Sequence, residues 1–147
     1  MYTGPGVKRA DHLYGSVDTP ALLVDRGILR RNISDMQKRA DKAGVSLRPH
    51  TKTHRTPAIA SMQVEAGAKG ITVAKAGEAE VMAENGMDDI FIANEIFGDR
   101  KFARLRKLAE KVRLTVGVDN REQVEALSRF FEGSAHPANV MIEIETG

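Results

Sequence analysis

The chain has 147 residues, enough for one hydrophobic core and about one domain. Hydrophobic residues make up 41% and charged residues 29%, and the net charge is only +2 with both signs mixed along the helices. That balance speaks against a nucleic-acid or membrane-surface protein, and the lack of cysteine excludes disulfides and thiolate metal sites within the chain. No apolar run approaches the roughly 20 residues of a membrane helix. The same composition leads us to expect a cytoplasmic location.

In chain order, residues 1–18 are polar and Gly-containing and are expected to form an N-terminal arm. Ala21 to Val24 is a short apolar run, expected to be a strand. Asp25 then stands as a helix N-cap before Ile28, Leu29, Ile33 and Met36 at helical spacing, and Gly44 closes that helix. Val45 to Pro49 is the next expected strand. Thr56 as cap with Pro57 in first position predicts a helix running to Gly67. The unit then repeats. Strands are expected over Gly70–Ala74, Asp89–Ala93, Leu114–Val118 and Val140–Ile144. Helices are expected over Gly77–Asn85, Asp99–Val112 and Asn120–Phe131, the last with Asp119 and Glu122 as a capping box.

Short apolar strands alternating with helices of 10–15 residues mean βαβ units and a parallel sheet. The pattern leaves open an open doubly wound sheet or a (β/α)8 barrel. In both, the active site lies at the C-terminal ends of the strands. That rule singles out His50 to Arg55 after the first barrel strand, then Lys75, Asn94 and Glu95, Asp119, and Thr146. The first cluster is the densest in reactive groups. Lys52 has His50, His54, Arg48 and Arg55 as sequence neighbours, and crowding by cations favours a free amine over its ammonium form. A solvated loop lysine is the plain alternative. His50 and His54 are read as pocket-lining groups rather than a zinc pair, since Pro49 makes a helical i, i+4 geometry unexpected. Lys75 and Asn94 are either ligand contacts or helix caps. Glu143 and Glu145 share one strand face, which matters only if that face is the interior.

The stretch Arg48-Pro49-His50-Thr51-Lys52-Thr53-His54-Arg55, preceded by Thr19-Pro20 and Asp25, resembles the D-threonine aldolase / D-serine dehydratase family of fold-type III pyridoxal-phosphate enzymes. Ala74-Lys75-Ala76-Gly77-Glu78-Ala79-Glu80 and Ile92-Ala93-Asn94-Glu95 resemble the family too, and the likeness runs from about Val17 to the end. It implies an alanine racemase-like (β/α)8 TIM-type barrel, with residues 19–147 forming the first part of it. The rest of the barrel and a C-terminal β-domain would lie outside this chain. It also implies that Lys52 carries pyridoxal 5'-phosphate as a Schiff base and that His50, His54 and Asn94 line the cofactor. The expected activity is that of a lyase on a β-hydroxy-D-amino acid. Alternatives are a racemase of the same fold or a non-catalytic carrier of the cofactor. A homodimer is expected, with no nucleic-acid or membrane partner. A divalent metal, zinc or manganese, would be held by residues outside this chain, so no metal ligand is expected within it.

Overall fold

The computed structural model of the chain describes residues 14–147, so most of the expected arm at 1–18 lies outside the described residues. Helix α1 (Arg26–Lys42) begins where Asp25 Oδ1 accepts the Ile28 N–H at 2.8 Å, the side-chain cap that its position predicts. It ends before Gly44, whose φ of 66° takes the left-handed turn that a β-carbon disfavours. The remaining elements are α2 (Pro57–Glu65), β1 (Ile71–Val73), α3 (Ala76–Glu84), β2 (Asp89–Ile92), α4 (Asp99–Ala109), β3 (Arg113–Val118), α5 (Arg121–Phe131) and β4 (Asn139–Ile142).

The four strands form one parallel sheet in the order β1-β2-β3-β4. Helices α3 and α4 touch, as do α4 and α5, so the helices form one layer in chain order. A doubly wound sheet reverses strand order and places helices on both faces. Neither feature occurs among the described residues, and the winding is that of a barrel segment. The rows Ile71–Ile90–Leu114 and Val73–Ile92–Val116 face the helix layer and are fully buried or nearly so. Phe102, Leu105, Leu108 and Ala109 of α4 meet them at the expected helical spacing. Each such large apolar side chain contributes about 1.5–3 kcal/mol by burial. The opposite face carries Thr72, Phe91, Thr115 and Asn139 in register. Val140 and Ile142 continue the core rows yet are 52% and 75% exposed, because no described helix packs on them.

Four expectations change. Ala21–Val24 is not a strand: Leu22 is 98% exposed, and an extended segment becomes a strand only when a neighbour accepts its hydrogen bonds. The expected strand at Val45–Pro49 is an extended segment joined to β1 by the Lys69 N–H to Leu47 and Thr72 N–H to Pro49 bonds, with a single bridge at His50–Thr72. Pro49 has no N–H to donate, so the ladder cannot continue through it. Thr56 occupies the N-cap position of α2, but its hydroxyl donates to the His54 carbonyl instead of capping the helix. The cap of α5 is Asn120, whose Oδ1 accepts the Gln123 N–H at 2.8 Å; Asp119 lies one residue too early and accepts from Asn120.

Candidate active site at the lysine turn

The lysine motif folds into a single 3-10 turn, Thr51–Thr53, tied at nearly every residue. His50 Nδ1 accepts the Lys52 N–H at 3.2 Å, and Thr53 Oγ1 donates to the His50 carbonyl at 3.4 Å. Thr51 is 1% exposed and its hydroxyl donates to the Thr72 carbonyl of β1 at 3.2 Å. The Arg55 N–H closes the turn on the Thr51 carbonyl at 2.7 Å, with Arg55 at a φ of 49°, uncommon for a side chain with a β-carbon. Lys52 is therefore an exposed lysine at the tip of a rigid turn. Replacing Thr51 by Val keeps the shape but removes the donor; we expect a loss of about 1–2 kcal/mol, read as a lower urea midpoint.

The cationic surroundings differ from expectation. Arg48 does not reach Lys52. Its guanidinium turns to the other end of the sheet, donating to Asp89 Oδ1 at 2.8 Å and to the Asp89 and Ile71 carbonyls. Arg55 lies 3.7 Å from Glu78. His50 remains beside Lys52, and its pKa is lowered from the usual 6.5 by burial and then by the Lys52 charge, with Glu78 opposing. Since Nδ1 accepts a hydrogen bond, the neutral ring carries its proton on Nε2. A depressed histidine pKa adds stability that is complete above 6.5 and is lost as pH falls through the lower folded value. We expect acidification from pH 7.5 to 5.5 to lower the urea midpoint less in His50→Gln than in the unsubstituted protein.

His54 is placed differently. Its Nδ1 accepts the Thr56 N–H at 3.1 Å, and the ring lines a cleft of about 250 Å³ between α1 and α2, with Ile33, Met36, Ile59 and Gln63. His50 and His54 thus serve separate backbone contacts, and no cluster of potential metal ligands occurs among the described residues.

A larger cleft of about 660 Å³ runs along the C-terminal ends of β1 and β2, lined among others by Thr51, Arg55, Lys75, Glu78, Asn94 and Glu95. Lys52 itself is not in its lining; the turn that carries Lys52 forms one wall. Lys75 sits at the N-cap of α3 without capping it, and its side chain makes no ion pair among the described residues. Asn94 is exposed, with Oδ1 accepting the Glu95 N–H at 3.1 Å. The topology therefore brings the lysine turn, Lys75 and Asn94 to one edge. Asp119 lies at the same edge, after β3, while Glu143 and Glu145 are exposed just past β4; alternation from Ile142 puts Glu143 on the sheet face away from the helices, the inner side of a barrel segment. Glu78 was missed. Its Oε2 accepts the Ala74 N–H at 2.8 Å, and its other oxygen faces Arg55, linking α3 to the lysine turn. The signal was present: an acid three residues after the N-cap position of α3 reaches back to the backbone, as in a capping box.

The model of the alanine racemase N-terminal domain family matches residues 24–147. D-threonine aldolase of Arthrobacter sp is 37% identical over 131 residues, covering 89% of this chain and 35% of that protein. D-threo-3-hydroxyaspartate dehydratase of Delftia sp. (strain HT23) is also 37% identical over 131 residues, covering 89% of this chain and 34% of that protein. The crystal structure of D-threonine aldolase from Filomicrobium marinum superposes with a TM-score of 0.87 at 40% identity, covering 89% of this chain and 36% of that one. The chain spans about a third of the length of these relatives. A rigid lysine turn at the C-terminal edge of a singly wound parallel sheet, together with these matches, makes the chain a member of the alanine racemase N-terminal domain family.

Proposed function

We propose that this chain is the lysine-bearing part of a pyridoxal-phosphate-dependent lyase that acts on a β-hydroxy-D-amino acid. The observation that carries this is the Lys52 turn: an exposed amine, without an ion pair among the described residues, held at the strand ends next to a half-buried imidazole. That donor set fits the aldehyde end of the cofactor. Pyridoxal phosphate, when bound, supplies a carbonyl that condenses with a primary amine and a sink for negative charge at the substrate Cα. Lys52 would hold it through Nζ, and as a free amine would accept the proton that leaves the substrate, from Cα in a dehydration or from the β-hydroxyl in an aldol cleavage. His50, with Nδ1 anchored on the Lys52 N–H, would present Nε2–H toward the site, and Asn94 would approach from the loop after β2. His54 would act through the turn, bracing it from behind.

The named relatives act on D-threonine, on D-serine and on 3-hydroxy-D-aspartate, which supports a small β-hydroxy-D-amino acid as the substrate. A homodimer, a cytoplasmic location, and a zinc or manganese ion bound outside these residues complete the proposal. No helix among the described residues is long and apolar enough to cross a membrane. The test is borohydride reduction of the full-length protein followed by peptide mapping. A pyridoxyl group on Lys52, with aldehyde or keto-acid release from the D-amino acids, is the expected result. Label on another lysine, or on none, overturns it. Label without turnover of any D-amino acid makes the protein a carrier, and conversion of the D-amino acid into its enantiomer makes it a racemase.

A further inference from the structure

Gln123 is a fully buried polar side chain, 1% exposed, in the first turn of α5. Its Nε2 donates to the Ile96 carbonyl at 3.1 Å and to the Gly117 carbonyl at 3.0 Å, and its Oε1 accepts the Asp119 N–H at 3.4 Å. The three partners belong to three pieces of chain. Ile96 lies in the loop after β2 that carries Asn94 and Glu95. Gly117 is near the end of β3. Asp119 starts the loop before α5. The amide orientation follows from the chemistry, since only the NH2 group can donate to two carbonyls. Besides the Gln123 bond, the loop after β2 is held by the side chains of Ile96, 4% exposed in the core, and Phe97, edge-on to Phe102 at 5.9 Å, while Asn94 and Glu95 are exposed.

We propose that Gln123 is a positioning residue, which sets the separation of the two active-edge loops by clamping the loop after β2 to the end of β3. It touches neither Lys52 nor the cleft. It acts through the backbone of Ile96, itself a cleft residue, and so on the placement of the adjoining Asn94 and Glu95, which line the cleft. The consequence for cofactor binding rests on the functional reading above; the clamp itself does not.

Two isosteric variants separate the parts of the clamp. Gln123→Met removes both donors and the acceptor, whereas Gln123→Glu keeps the acceptor and replaces the donors with an oxygen facing two carbonyls. Amide hydrogen exchange is measured on the full-length protein, along with the dissociation constant of pyridoxal phosphate. In Gln123→Met, exchange should quicken by about tenfold at residues 95–97 and at Asp119 while the Lys52 turn keeps its protection. In Gln123→Glu, residues 95–97 should loosen in the same way while Asp119 stays protected. Cofactor binding should weaken by about tenfold in both, as the loss of one or two net hydrogen bonds would give. Uniformly faster exchange throughout the sheet, or unchanged exchange at 95–97 in both variants, overturns the proposal; if Gln123→Met does not fold, Gln123→Glu decides by the same criterion. Wild-type protein that takes up no cofactor sinks the functional reading, and the exchange pattern then still decides the role of Gln123.

Discussion

Lys52→Ala is expected to abolish cofactor attachment and to lower turnover of β-hydroxy-D-amino acids by at least about 10³-fold, with the fold unchanged. The visible absorbance of the lysine-bound cofactor should disappear with it. The separation of function from stability follows from the turn. The Lys52 side chain is exposed and makes no ion pair among the described residues, so its truncation removes no packing. The bonds that tie the turn run through His50, Thr51, Thr53 and Arg55 backbone and side-chain atoms, and the Lys52 N–H remains to bond His50 Nδ1. An exposed substitution of this kind changes stability by about 0.5 kcal/mol or less. Lys69→Ala is the control, since Lys69 precedes β1 at the opposite edge of the sheet; it should keep the absorbance and the activity. A Lys52→Ala protein that retains the absorbance would remove the basis for the proposed chemistry.

Gly70→Ala is expected to destabilise the protein by about 3 kcal/mol or more, through a clash that no rotamer change relieves. A β-carbon at Gly70 would lie 2.5 Å from the Asp89 carbonyl oxygen and 2.5 Å from the Arg48 guanidinium. The first is backbone of β2, one residue from the Ile71–Ile90 pair that begins the β1–β2 ladder. The second belongs to the ion pair that holds the segment before the lysine turn against β2. The methyl group therefore forces either the β1–β2 spacing or the Arg48–Asp89 pair to give. Thermal unfolding measures the loss, and an unchanged melting temperature would contradict it. The same variant tests whether Arg48 anchors the turn. If it does, Gly70→Ala should also weaken cofactor binding although residue 70 lies at the far edge of the sheet.

Much of the local structure could be read directly along the chain. Asp25 as a cap, Gly44 as a stop, Pro57 in first helical position and the spacing of Phe102, Leu105, Leu108 and Ala109 all act within one or two turns, and the structure has each of them where expected. The lysine turn is local only in part. His50, Thr53 and the Arg55 N–H make their contacts within four residues, whereas Thr51 donates to the Thr72 carbonyl 21 residues away.

What the sequence determined by itself, then, was the alternation of strand and helix, the helix faces, and the position of Lys52 just past a strand end. Tertiary structure decided which strand pairs with which. A doubly wound sheet and a barrel segment share the same βα period and differ only in the order of pairing, which no local pattern encodes. It also decided the fate of Ala21–Val24, since an apolar extended run needs a partner supplied from elsewhere. Arg48 found its carboxylate 41 residues away, and His54 turned to the α1–α2 cleft. Gln123 became a clamp across 27 residues. The physical reason is common to all of them. A hydrogen bond or ion pair forms with whatever group the fold brings within about 3 Å, and that identity belongs to the packed chain as a whole.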